Sequence, residues 1–235
     1  MTFDGAYNLA DLGGLPLIDG GTTAYGRVYR SGSREATTDT GWLEARAAGL
    51  HTIIDLRSLG EIGRRATHPV VDESYLERFV LVHAPTENPD DPEFQRICGP
   101  HLSHPRYYAD NLAMWPQKFA AVFAGVAAAS GAVLIHCGAG RDRTGMIAAM
   151  LLKLTGVTTA AIVADYADAV VRVNDHLAAN PSAHERSFSG DEFTARLAER
   201  TGTLADWIDG FAVRDYLAAA GLTPTQLERL ARILR

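Results

Sequence analysis

A run of ten residues, His136-Cys137-Gly138-Ala139-Gly140-Arg141-Asp142-Arg143-Thr144-Gly145, brings a thiol, two guanidiniums, a carboxyl and a hydroxyl into one glycine-rich stretch. Cys137 is a nucleophile by type, and Arg143 follows it after five intervening residues. That spacing lets a loop turn back so that a guanidinium fork meets two oxygens of the group the sulfur attacks, a grip that the point charge of lysine does not reproduce. The chemistry implied is displacement at phosphorus through a covalent phosphocysteine. Charge then spreads over the equatorial oxygens, and donors already aimed at them supply the largest catalytic term. Thr144 is placed to give a hydrogen bond to the departing sulfur. His136, at a buried strand end, is expected to hydrogen-bond backbone and tune the sulfur rather than to shuttle protons.

The elements on either side must hold this stretch in place. Ala132-Val133-Leu134-Ile135 is a short apolar run with β-branched residues, and Met146 to Leu154 is Ala/Leu-rich and helix-favouring. The loop between them therefore joins a buried strand to a helix N-terminus, where unpartnered N–H groups and the macrodipole make an anion site. Gly138, Ala139, Gly140 and Arg141 become the phosphate-binding backbone, with Gly138 and Gly140 letting it curl into a nest. The same positive potential, with Arg141 and Arg143, favours the reactive thiolate at Cys137. Taken singly, such a cysteine is an ordinary buried apolar residue and the glycines make a tight turn; the combination at this spacing indicates a site.

The stretch resembles the Cys-x5-Arg signature of the cysteine-dependent protein tyrosine phosphatases, and in its Ala139-Gly140 and Asp142-Arg143-Thr144-Gly145 it is similar to their atypical bacterial subgroup. Arg141 stands where that subgroup has lysine. The resemblance continues through Asn8-Leu9-Ala10-Asp11-Leu12-Gly13-Gly14, with Ala10 where the family has arginine, and through Gly26-Arg27-Val28-Tyr29-Arg30-Ser31. It extends to Asp55-Leu56-Arg57-Ser58 with Glu61, Val163-Ala164-Asp165-Tyr166, and Tyr216-Leu217 followed by Gly221-Leu222. It implies a phosphomonoesterase of broad specificity acting on phosphotyrosine proteins or peptides, other phosphoresidues and phosphoinositides, with no cofactor. Two alternatives stay open. One is a phosphoinositide or inositol-phosphate phosphatase, with Arg141 adding charge beneath the head group; the other is a non-catalytic phosphoprotein-binding protein, which the intact Cys137, Arg143 and Thr144 argue against.

The leaving oxygen needs an acid within hydrogen-bond reach. Asp142 is the first choice, inside the loop and at a position where the family pattern also has aspartate; Glu87, Asp90 and Asp91 are alternatives. The family's Pro-Phe-Pro-Asp stretch is not cleanly reproduced at His83-Ala84-Pro85-Thr86. Asp55 and Arg57 end a strand and are expected to support the loop. Pro85 to Pro105 is polar, proline-rich and poor in periodicity, and is expected to be a rim or lid over the site or else a surface excursion. Within it, Cys98, His101 and His104 have metal-like spacing, but no further pair completes a tetrahedral set, so no metal is expected.

The remaining composition narrows the class. A chain of 235 residues with 47% hydrophobic content suits one domain, residues 1–235, around one core. A net charge of −6 offers no footprint for nucleic acid. No apolar run is long enough to span a bilayer, and Met1-Thr2-Phe3-Asp4 lacks the features of a leader, so the expected location is the cytoplasm. Cys98 and Cys137 make no disulfide framework. Alternating strands (near Arg27–Arg30, Thr52–Leu56, Phe79–His83 and Ala132–His136) and helices predict an α/β fold with a parallel-rich sheet covered on both faces. The helices are expected near residues 39–48, 105–129, 144–154, 158–173, 191–200, 204–219 and 223–234.

Overall fold

The computed structural model describes residues 2–181 and 185–235; Met1, part of the N-terminal stretch read above, lies outside them. Its sheet comprises β1 (Ala10–Asp11), β2 (Val28–Ser31), β3 (Leu50–Asp55), β4 (Val80–His83) and β5 (Ala132–His136), in the order β1-β2-β5-β3-β4. β1 runs antiparallel and the other pairings are parallel. The central strand is β5, buried at every residue, as a strand covered on both faces must be. Its last residue, His136, pairs with Ser31 on one side and Asp55 on the other. Cys137 therefore leaves the sheet at the carboxyl end of its middle strand, where open α/β sheets bind ligands.

The helices are α1 (Asp39–Ala47), α2 (Glu73–Leu76), α3 (Pro92–Ile97), α4 (Tyr108–Met114), α5 (Pro116–Ala128), α6 (Asp142–Thr155), α7 (Thr159–Ala179), α8 (Gly190–Gly210), α9 (Val213–Ala219) and α10 (Pro224–Arg232). Alternation along the strands sorts the core into two layers. Val28, Ile54, Val133 and Ile135 face a large cluster with α3 to α10. Tyr29, Ile53, Ala132 and Leu134 face a smaller one with Trp42 of α1 and Phe79. The expected two-sided α/β architecture is what the chain adopts.

The helix expected over 158–173 continues to Ala179, and three other expected stretches also differ. The helix expected over Pro105 to Ala129 is broken at Trp115 (φ −131°, ψ 48°), because a proline excludes helical backbone at the residue before it and cannot donate to the preceding turn. The two helices expected over 191–200 and 204–219 divide instead at Phe211. α8 runs through Gly202, whose surroundings are open, because Phe193, Leu197, Leu204 and Ile208 keep one apolar stripe against the core. The segment 85–105 holds α3, capped by the Asp91 side chain on Phe94 N (2.9 Å), and it is anchored by fully buried Phe94 and Cys98.

Candidate active site

The loop between β5 and α6 is shaped from outside by hydrogen bonds to its carbonyl oxygens. Gly138 O accepts from Tyr7 Oη at 2.5 Å and from Ser33 N at 2.9 Å. Ala139 O accepts from Asn8 Nδ2 at 2.9 Å, Gly140 O from Arg30 Nη2 at 2.9 Å, and Asp142 O from Tyr108 Oη at 2.8 Å. In a trans peptide the next N–H points opposite to the carbonyl, so drawing these oxygens outward turns the N–H groups of the loop inward. One of those amides already meets the sulfur: Gly140 N donates to Cys137 Sγ at 3.3 Å. Gly140 carries φ +71°, and a Cβ there would lie 2.3 Å from Ser31 O, so only glycine fits. Burial, with the Cys137 sulfur adding to it, pushes the Tyr7 hydroxyl up to about 12, so Tyr7 stays a donor.

Arg143 sits on the first turn of α6 and presents its fork to Glu61, with both Nη–Oε distances 2.6 Å. Burial works against the Glu61 charge, but Arg143 outweighs it and holds the carboxyl at about 2. Glu61 is itself fixed by a capping box with Ser58. Thr144 is fully buried, and its hydroxyl has no hydrogen-bond partner among the described residues.

The two carboxyls beside the loop that could serve as the acid, Asp142 and Glu87, have different surroundings. Asp142 turns to arginines: Oδ2 accepts from Arg141 Nε at 2.9 Å and Oδ1 lies 3.5 Å from Arg200 Nη1. Arg141 in turn gives Nη1 to Glu185 at 2.7 Å, so its guanidinium packs behind the loop and its contribution to the nest is its backbone. Glu87 lies 3.6 Å from Arg143 Nη1 and accepts from Tyr107 Oη at 3.0 Å. Burial raises its pKa, against the Arg143 charge and the Tyr107 hydrogen bond that lower it. Among the described residues no hydrogen bond or ion pair joins Asp90 or Asp91 to the loop; Asp91 is the N-cap of α3.

Asp55 and Arg57 form the flank. Asp55 takes Arg57 Nε (2.9 Å) and Nη2 (2.7 Å), Arg57 also binds Glu35 at 2.8 and 2.9 Å, and its Nη1 reaches Ser33 Oγ at 3.1 Å. Because Ser33 N holds Gly138 O, this network buttresses the loop from beside it. His136 is fully buried, with Nε2 3.5 Å from Asp55 Oδ2 and Nδ1 3.4 Å from Cys137 O. Among the described residues no group of three or more His, Cys, Asp and Glu is placed to hold a metal. Cys98 is packed in the core, burial pushing its thiol up to about 11, and His104 Nδ1 receives Arg106 N.

Tyr7, Tyr108 and Tyr107 act on this site without any signal in their local sequence. Asn8, Arg30 and Glu61 stood in matched stretches, but nothing in the spacing gave them a partner.

A parallel sheet whose central strand delivers a cysteine into an amide nest at a helix N-terminus, with an arginine six positions on, is the architecture of cysteine-based phosphatases. A profile of the tyrosine phosphatase family matches residues 1–235, and the chain belongs to that family. It is 30% identical over 228 residues to the triple specificity protein phosphatase PtpB of Mycobacterium tuberculosis, covering 84% of this chain and 80% of that one. A Cupriavidus necator relative is 29% identical over 180 residues, 71% of this chain; the match spans 61% of that relative's length. A tyrosine-protein phosphatase of Nostoc commune is 34% identical over 126 residues, covering 48% of this chain and 42% of the other. Among solved structures, P. aeruginosa TpbA in complex with phosphotyrosine aligns with TM-score 0.40 and 16% identity over 84% of this chain and 88% of that one.

Proposed function

We propose that this single domain, residues 1–235, hydrolyses phosphomonoesters through a phosphocysteine and that its substrates are phosphotyrosine proteins or peptides. The observation that carries the proposal is the nest: loop carbonyls held outward, amides turned inward, and Cys137 Sγ already accepting one of them. Cys137 Sγ attacks phosphorus while the inward amides and the Arg143 fork take the equatorial oxygens, the phosphoryl dianion competing with Glu61 for the fork. The P–O bond to the leaving group breaks, and that oxygen takes a proton from a carboxyl. Water then attacks phosphorus, its proton passes to the same carboxylate, and the S–P bond breaks with Thr144 donating a hydrogen bond to the sulfur. No step uses a metal or cofactor.

For the acid we favour Glu87 over Asp142. Both Asp142 oxygens are turned to Arg141 and Arg200 rather than to a leaving oxygen, whereas Glu87 stands 3.6 Å from Arg143 Nη1, beside the phosphoryl clamp, and its burial favours the protonated form a donor needs. The segment 85–105 carries Glu87 and thereby forms the rim of the site. Phosphotyrosine is preferred to phosphoinositides as the substrate because the Arg141 guanidinium, expected to sit beneath an anionic head group, is spent on Asp142 and Glu185. Two free thiols, one of them nucleophilic, suit the reducing cytoplasm; no described helix is long and apolar enough to cross a membrane.

The test is phosphate release from a phosphotyrosine peptide and from short-chain phosphoinositides side by side, with Cys137→Ser as the blank. Release from the peptide that vanishes in the serine variant is expected. Undiminished turnover by that variant would refute the mechanism, and equal or faster release from the lipids would refute the substrate preference.

A further inference from the structure

Three stretches matched by family resemblance, around Asn8, Arg30 and Asp165, are far apart in sequence and meet beneath the phosphate loop. Arg30 lies on β2 and is 1% exposed. Its Nη1 is ion-paired with Asp165 of α7, and its Nη2 donates to Gly140 O at 2.9 Å and lies 3.5 Å from Arg141 O. Beside it, Arg172 Nε donates to Asn8 Oδ1 at 3.0 Å, and Asn8 Nδ2 donates to Ala139 O. A Cβ on Gly145 would lie 2.9 Å from the Tyr166 ring and 3.5 Å from Arg30 Nη2. The first turn of α6 thus rests directly on α7 and on Arg30.

A buried ion pair is a poor way to stabilise a core, since well-packed apolar residues do as well or better. Arg30 Nε, moreover, has no partner among the described residues. Its satisfied donors point at Asp165 and at the loop. We infer that Arg30, oriented by Asp165, is a positioning residue: it pins Gly140 O outward so that the following amide faces the bound oxyanion, and Asn8, oriented by Arg172, does the same one peptide earlier. This rests on the reading that the loop binds a phosphoryl group.

Two variants separate positioning from plain stability. Arg30→Lys keeps the charge, but a compact ammonium cannot serve Asp165 and Gly140 O together. Asn8→Gly removes the amide while suiting the left-handed backbone at that position (φ 51°). Val170→Ala, in the core, is the control for generic destabilisation. The readouts are tungstate binding by calorimetry, kcat and KM on a phosphotyrosine peptide, and Tm. Arg30→Lys is expected to bind tungstate roughly tenfold more weakly and to lose about 10- to 100-fold in kcat/KM, the scale of misplacing a reacting group by part of an ångström, with Tm no lower than in the control. If Arg30→Lys does not fold, Asn8→Gly decides by the same readouts. A folded deciding variant within twofold of wild type in both binding and kcat/KM overturns the inference, as does an equal loss in Val170→Ala. Wild-type protein that neither binds tungstate nor releases phosphate overturns the phosphatase reading along with it.

Discussion

His136 makes the fold sensitive to mild acid. Burial pulls its pKa from 6.5 down to about 4, with nearby Asp55 opposing the shift and Arg57 adding to it. In the unfolded chain the ring takes a proton below pH 6.5, while in the folded chain it stays neutral until about 4. Falling pH therefore favours the unfolded state. The stability His136 contributes is fully present above 6.5, declines by about 1.4 kcal/mol per pH unit below it, and has fallen by about 3 kcal/mol at pH 4. That is a large share of the roughly 5–15 kcal/mol that holds a domain together. Urea unfolding of wild type and His136→Gln at pH 7, 6, 5 and 4.5 reads the effect as a difference, in which titrations common to both proteins, such as that of Glu87, cancel. The stability of wild type relative to the variant is expected to fall steadily from pH 6 to 4.5. Parallel curves, or a wild type that gains on the variant as pH falls because a cationic ring pairs with Asp55, would refute the reasoning.

Glu87→Gln should cost about 10²- to 10⁴-fold in kcat on an alkyl phosphate and much less on a nitrophenyl ester, whose oxygen leaves without a proton; if Asp142→Asn shows that leaving-group pattern and Glu87→Gln does not, the acid is Asp142. Arg143→Lys should lower kcat/KM about 10²- to 10³-fold, the scale of losing an oxyanion donor, and a loss below tenfold would show that the fork is not the phosphoryl clamp. Exhaustive dialysis against a chelator should leave phosphate release unchanged, and activity that disappears and returns with zinc would contradict the metal-free chemistry.

The strand core and the nucleophile loop could be read directly from the sequence because both are local. Ala132–Ile135 is an uninterrupted apolar run, and the loop's glycines and arginines lie within ten residues of each other. The break at Pro116 and helix α3 were also locally encoded: Asp91-Pro92 is an N-cap followed by proline at the first helical position, a sign obscured by the polar, proline-rich surroundings. α8 extends through Gly202 because tertiary packing of Leu204 and Ile208 outweighs local propensity. What could not be read was pairing across distance. Nothing near Tyr7 signals a carbonyl 131 residues away, and nothing near Glu87 or Asp142 signals that one will meet Tyr107 and Arg143 while the other is turned to Arg200.

The anchoring of Gly138 and Ala139 by Tyr7 and Asn8 also sets an order of events during synthesis. These two residues leave the ribosome well before the carbonyls they hold, which are made 131 residues later. At about 5–20 residues per second, the N-terminal segment waits many seconds before its partners exist, and α7, which supplies Asp165 and Arg172, comes later still. The nascent chain therefore has no preformed nest until α7 has been made, and the phosphate affinity proposed for the loop would arise only when the distant parts of this circuit close.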